Sequence, residues 1–248
     1  MSDWLFDLGN SRFKFAARHA RGAGAVQAWA HGAEAMDAAA VAALPRGDTA
    51  YVASVAAPAL TAAVLDALRA RFGQVRVARS AAACAGVRIA YAQPHRFGVD
   101  RFLALLAAHG AGDVLVVGIG TALTVDLLDR HGQHHGGRIA PSPTTMRQAL
   151  QQRAAQLPAE GGAYREFADD TADALASGCD GAALALIERS LQQGQALLSR
   201  PPRLLLHGGG APALLPWLDA AEHRPSLVLD GLALWAAQPG HDAAQGAG

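Results

Sequence analysis

The chain has 248 residues, 21 basic against 21 acidic side chains, 51% hydrophobic and 17% charged residues. That length suits one large domain or two small ones with ample core, and the zero net charge argues against the basic face that nucleic-acid binding requires. Cys84 and Cys179 form no metal-type pair, the N-terminus carries Asp3 and Asp7 in place of a basic leader, and the most apolar stretch (103–117) is broken by His109, Gly110, Gly112 and Asp113. A reduced, cytoplasmic protein with no secretory signal and no membrane span is therefore expected.

The first predicted element is a hairpin. Trp4–Leu8 leads into Gly9-Asn10-Ser11, after which Phe13 and Phe15 alternate with Arg12 and Lys14. Asp7 beside this turn can hold a hydrated divalent cation, while glycine and small polar residues let backbone N–H groups approach phosphate. Lys14 is the only lysine; the other 20 basic residues are arginine. An ammonium and a guanidinium are not interchangeable at a phosphate.

A strand and a short helix are predicted over 16–45, and a strand over Thr49–Ser54. Pro58 then opens a helix that runs to Phe72 and stops at Gly73. Strands follow at Gln74–Arg79 and Val87–Tyr91. Pro94-His-Arg-Phe-Gly98-Val99-Asp100-Arg101 leads into a helix on Phe102, Leu105 and Leu106, and is too dense in polar chemistry to serve only as a cap.

Asp113–Gly118 reads as a buried strand and Leu123–Leu127 as the next. Gly118 and Gly120 lack the third Gly or Ala of a dinucleotide loop, and a strand, not a helix, follows. The segment instead repeats the opening one: Leu5-Phe-Asp7-Leu-Gly9-Asn10-Ser11 aligns with Val116-Val-Gly118-Ile-Gly120-Thr121-Ala122, about 111 residues further on. Two similar halves, each with a phosphate-facing hairpin, are the expectation.

The His131–Arg138 stretch is predicted as a solvated or substrate-adjacent turn, since its three histidines lack further ligands at zinc spacing. Helices are predicted at Thr144–Leu157, capped by Thr144 or Thr145, and at Thr171–Ser177 and Gly181–Leu198 with a break near Gly178. Thr171 is the expected cap of the former. A strand at Arg203–Leu206 empties into His207-Gly208-Gly209-Gly210, where backbone can approach a ligand. A strand at Pro225–Leu229, a helix at Leu232–Ala236 and a disordered tail (239–248) complete the prediction.

In order, Asp7-Leu-Gly-Asn-Ser-Arg-Phe-Lys14, Pro94–Arg101, Gly120-Thr-Ala-Leu-Thr-Val-Asp126, Gly136-Gly-Arg-Ile-Ala-Pro141 and Gly208-Gly-Gly resemble the type III pantothenate kinases over residues 4 to about 235. The resemblance implies an α/β fold of two duplicated ribonuclease-H-like (actin-like ATPase) halves around an ATP cleft, here 1–110 and 111–238. It implies ATP- and Mg²⁺-dependent phosphorylation of pantothenate, the first step to coenzyme A, by a homodimer. Carried over by residue, Asp7, Leu8, Gly9, Asn10, Ser11, Arg12, Phe13 and Lys14 form the first phosphate loop, with Asp7 facing Mg²⁺ through water. Thr121, Gly208 and Gly209 contact ATP. Asp100 is the general base, and Tyr91, Gly98, Val99, Asp100, Arg101 and Thr171 contact pantothenate.

Two departures matter, of which Pro141-Ser142 in place of the family's usual Pro-Gly is the milder. Many members carry Asp two residues before the Gly-Thr of the second loop, where it binds a monovalent cation (K⁺ or NH₄⁺); here that residue is Gly118. Weak or absent potassium dependence is expected. The alternatives are a non-catalytic nucleotide-binding regulator and a kinase for another small polyol or sugar.

Overall fold

The alternating pattern at the N-terminus produces the strand pair it predicts. In the computed structural model, which describes residues 2–20, 22–31, 38–158 and 160–238, β1 (Trp4–Leu8) pairs antiparallel with β2 (Arg12–His19), Asp7 lying opposite Lys14. Beyond it, β3 (Gly22–Ala23) and β4 (Gln27–Ala30) both pair with β2, so more strands than expected precede the short helix that was predicted there, α1 (Ala38–Ala42). β5 (Gly47–Ser54) runs parallel to β1, α2 (Pro58–Arg69) crosses over, and β6 (Phe72–Val77) runs parallel to β5. Pro58 opens α2 as predicted. Gly73 does not stop it: the helix ends at Arg69, and Phe72 pairs with Gly47 as the first residue of β6.

Next come the ribbon of β7 (Ala83–Cys84) and β8 (Val87–Arg88), a 3-10 turn at Pro94–Arg96, and α3 (Val99–Ala108). The second sheet begins with β9 (Val114–Ile119), β10 (Ala122–Leu128) and β11 (His134–Pro141). α4 (Pro143–Arg153) follows; its cap is Ser142, whose hydroxyl accepts from the Thr145 amide, rather than Thr144 or Thr145. α5 (Thr171–Leu198) is one continuous helix of 28 residues, not two. Its internal glycines cost about 1 kcal/mol each relative to alanine, which the burial of Ala176, Cys179, Ala183, Leu184 and Ile187 outweighs. Its cap is Asp170, which accepts from the amides of Ala172 and Asp173, so Thr171 is a first-turn residue.

β12 (Arg203–His207), α6 (Ala211–Leu214), β13 (Ala221–His223) and α7 (Leu227–Ala236) finish the chain. The strand predicted at Pro225–Leu229 is instead the start of α7. Leu227, Val228 and Leu229 are all buried, and a helix apolar on all sides has no period to distinguish it from a buried strand. The tail 239–248 lies outside the described residues.

The chain divides into two compact units. Among the described residues the first comprises 2–109, 131–134 and 226–238, and the second 110–130 and 135–225. The sequence halves of 1–110 and 111–238 differ from this chiefly in assigning α7 to the second. In the structure α7 packs along α3, close enough at Gly231 that a Cβ would run into the Leu103 carbonyl.

Each unit is built on a mixed sheet in the same order, β3-β2-β1-β5-β6 in the first (with β4 also on β2) and β11-β10-β9-β12-β13 in the second. In both, an antiparallel hairpin is extended by parallel strands. In the first unit Phe6, Leu8, Phe13, Phe15, Ala50 and Val52 face α2. In the second Leu115, Val117, Ile119, Val125, Leu204 and Leu206 face α5 and α6. Side chains alternate across a strand, so Asp7 in one sheet and Gly118 in the other lie on the face away from these clusters. No helix among the described residues is long and apolar enough to cross a membrane.

Candidate active site

In the first unit the hairpin turn is closed by Gly9 N–H donating to the Arg12 carbonyl at 3.0 Å, and His31 Nε2 sits 3.0 Å from the Gly9 carbonyl oxygen. Leu8 and Phe13 flank the turn with side chains fully in the core, so only their backbone borders it; Asn10, Ser11 and Arg12 are exposed. Asp7 is 9% exposed. Burial pushes its carboxyl up to about 7; the facing Lys14 ammonium pulls it down, and Asp100 pushes it up further. Two expected site carboxylates of this unit are thus close enough to repel.

Asp100 stands in the first turn of α3, where the helix dipole favours its charge. Its Oδ1 accepts the Arg101 amide at 2.8 Å, so part of the capping reading holds. Gly98 makes this possible, because a Cβ there would lie 2.7 Å from Asp100 Oδ1. Arg101 is only 6% exposed; its guanidinium lies 4.5 Å from the Phe97 ring centre and donates to the Tyr91 hydroxyl at 3.3 Å. Tyr91 meets Phe97 edge-on at 4.9 Å. Val99 is buried.

His134 was missed by sequence reasoning, which placed it in a turn. It is 0% exposed, opens β11, and packs on Phe97 and Tyr91 with ring centres 5.1 and 6.2 Å away. Its Nδ1 accepts the Ala90 amide at 3.4 Å. The only sequence signal was its proximity to the glycine-rich stretch, because the groups that bury it, Ala90, Tyr91 and Phe97, lie tens of residues earlier in the chain. The other histidines of that stretch, His131 and His135, are exposed, and no metal-holding cluster of three His, Cys, Asp or Glu exists among the described residues.

In the second unit Thr121 is exposed at the turn between β9 and β10. Its carbonyl accepts from Thr145 Oγ1 at 2.7 Å and from the Ser142 amide at 3.3 Å, which ties the turn to the start of α4. Gly208, at φ +91°, crosses Ile119 so closely that a Cβ would strike the Ile119 carbonyl, and the Gly210 amide donates to that carbonyl at 2.9 Å. The Gly208–Gly210 turn is thereby fixed beside the Thr121 hairpin. Thr171, exposed at the start of α5, belongs to the same unit but not to this turn cluster.

Mg²⁺ suits the first group. A buried carboxylate that one lysine leaves partly uncompensated gains from a divalent ion, and Mg²⁺ usually takes one or two protein carboxylates, with waters and phosphate oxygens completing its shell. A monovalent ion does not suit the second group, because Gly118 carries no ligand.

A five-strand order repeated in both units, with a buried carboxylate beside a small polar turn in the first and a strand–glycine–helix turn in the second, is a duplicated α/β architecture. A family model for type III pantothenate kinase matches residues 4–193. The chain is 71% identical to a type III pantothenate kinase of Xanthomonas campestris pv. campestris (strain B100) over 236 residues, 95% of this chain and 98% of that one. It is 70% identical to one of Stenotrophomonas maltophilia (strain R551-3), again over 95% and 98%. A Baf-family protein of Campylobacter jejuni shares its fold at a TM-score of 0.63 and 19% identity, over 92% of this chain and 94% of that one. The chain belongs to the type III pantothenate kinase family.

Proposed function

We propose that the chain transfers a phosphoryl group from ATP to the primary hydroxyl of pantothenate, the first step of coenzyme A synthesis, with Asp100 as general base. The supporting observation is the pairing, within one unit, of a half-buried Asp100 at a helix N-terminus with a buried Asp7 at the first phosphate turn. Asp100 accepts the hydroxyl proton as the oxygen attacks the γ-phosphorus, and the bond to the bridging β–γ oxygen breaks to release ADP. Little pKa elevation is needed, since the proton leaves late in a loose transition state.

Asp7 would hold a hydrated Mg²⁺, which when bound would supply positive charge to offset that of the phosphates. Lys14 supplies a compact positive charge beside it, and Gly9–Arg12 present backbone and small polar groups to phosphate. Thr121 and Gly208–Gly209 serve the nucleotide in the same way from the second unit. Arg101, stacked on Phe97 and bonded to Tyr91, is held rigidly enough to orient the substrate with its forked donors. Tyr91, Gly98 and Val99 shape that loop, and Thr171 stands at the position of the family's substrate-contacting threonine. A cytoplasmic homodimer is the working form.

The test is ATP-dependent phosphorylation of pantothenate by the purified protein beside Asp100→Asn. Turnover in the parent and its loss in the variant, with nucleotide binding retained, supports the reading. Nucleotide binding without any turnover points to a regulator, and turnover only on sugars or other polyols points to a different acceptor.

A further inference from the structure

The two sheets place one equivalent row of residues on their open faces. In the first, β2, β1 and β5 contribute Lys14, Asp7 and Ala53. In the second, β10, β9 and β12 contribute Thr124, Gly118 and His207. The central strand of the first row thus carries a carboxylate and its parallel neighbour a methyl group. In the second row the central strand has no side chain and its neighbour carries an imidazole.

The substitution is spatially complementary. A Cβ on Gly118 would lie 2.7 Å from Thr124 Oγ1, 2.9 Å from His207 Nε2 and 3.0 Å from His207 Cε1. Thr124 and His207 therefore converge over Gly118 and occupy the space an aspartate there would need. His207 cannot withdraw by shifting its backbone, because Gly208 is wedged against Ile119 in a left-handed conformation and β12 is paired on both sides. A hard monovalent cation takes oxygen ligands; this row presents one hydroxyl and an imidazole, whose nitrogens suit softer metals.

We infer that the second phosphate loop works without a monovalent cation, and that His207 takes the ion's place as a nucleotide-positioning residue. The inference rests on the reading that the Thr121 and Gly208 turns serve ATP. It accounts for the glycine at position 118, where a Cβ would meet the Thr124 hydroxyl and the His207 ring.

The test measures affinity for Mg²⁺-bound non-hydrolysable ATP analogue by calorimetry, and pantothenate phosphorylation, in potassium, ammonium and choline buffers. Both should agree within about twofold across the three salts, and a fall of about tenfold or more in choline overturns the inference. Absence of turnover in every salt strikes at the proposed reaction, while the binding measurement still reads the cation response by itself. The paired variant Gly118→Asp/His207→Ala should acquire a preference for potassium over choline of about fivefold or more in nucleotide affinity; a folded pair without it refutes the claim that His207 holds the ion's space. If that pair fails to fold, His207→Ala and His207→Gln decide. Loss of one hydrogen bond predicts about fivefold weaker nucleotide binding in the alanine variant and substantial rescue by the glutamine amide, and equal affinity in all three proteins overturns the role of His207.

Discussion

Asp7→Asn should separate stability from activity through pH. Burial raises the Asp7 carboxyl from its ordinary 3.8 to about 7 in the folded protein. A carboxyl with a raised folded pKa binds its proton more tightly when folded, so its ionisation opposes folding. The penalty is absent below the unfolded value near 4, grows as pH rises to about 7, and is constant above. At 1.36 kcal/mol per pKa unit its upper limit is about 4 kcal/mol, since the group is 9% exposed and screening by solvent is small. Asparagine keeps the shape and cannot ionise. The variant should therefore melt with the parent near pH 4 and above it at pH 9, by up to about 10 °C for a protein of this size. The same variant should lose most Mg²⁺-dependent turnover, and Mg²⁺ with ATP should stabilise the parent more than the variant at high pH. The measurement is a melting series from pH 4 to 9 without ligand. A difference that does not change with pH, or a variant less stable than the parent at pH 9, would refute the assignment of a buried, uncompensated carboxylate.

Asp100→Asn should lower kcat by about 10²–10⁴ with little change in nucleotide affinity, as loss of a general base does; a fully active variant would exclude Asp100 from proton transfer. Arg101→Lys loses the stacking on Phe97 and the fork toward Tyr91, and should raise the KM for pantothenate about tenfold while leaving that for ATP unchanged. Steady-state kinetics with each substrate varied in turn would show it, and an equal rise in both would argue for general loosening of the loop. Gly231→Ala forces a methyl group into the Leu103 carbonyl and should cost about 3 kcal/mol or more, read as a lowered denaturation midpoint; a neutral result would mean that α7 can slide along α3.

The candidate site could be proposed from sequence because its chemistry is local. Asp7, the Gly9–Ser11 turn and Lys14 lie within one hairpin, and Gly98, Asp100 and Arg101 within one loop and helix start. The match of the two hairpins pointed to two similar halves, while the strand order those halves share is set by the pairing of strands distant in sequence. The misreadings fall where neighbours distant in sequence decide. Gly73 stops no helix because Gly47 pairs beside Phe72. The glycines at 178 and 181 do not split α5, because its apolar face is held on the second sheet.

The sequence by itself determined the hairpins, their small polar turns, the acids beside them and the family to which the chain belongs, since each depends on residues adjacent in the chain. Tertiary structure alone decided that α7 lies on α3, that His134 is buried under the Tyr91–Phe97–Arg101 stack, and that His207 lies over Gly118. Those placements depend on strand register and helix packing between segments tens of residues or more apart, and the 88 residues between Gly118 and His207 carry no local signal that the two share a row.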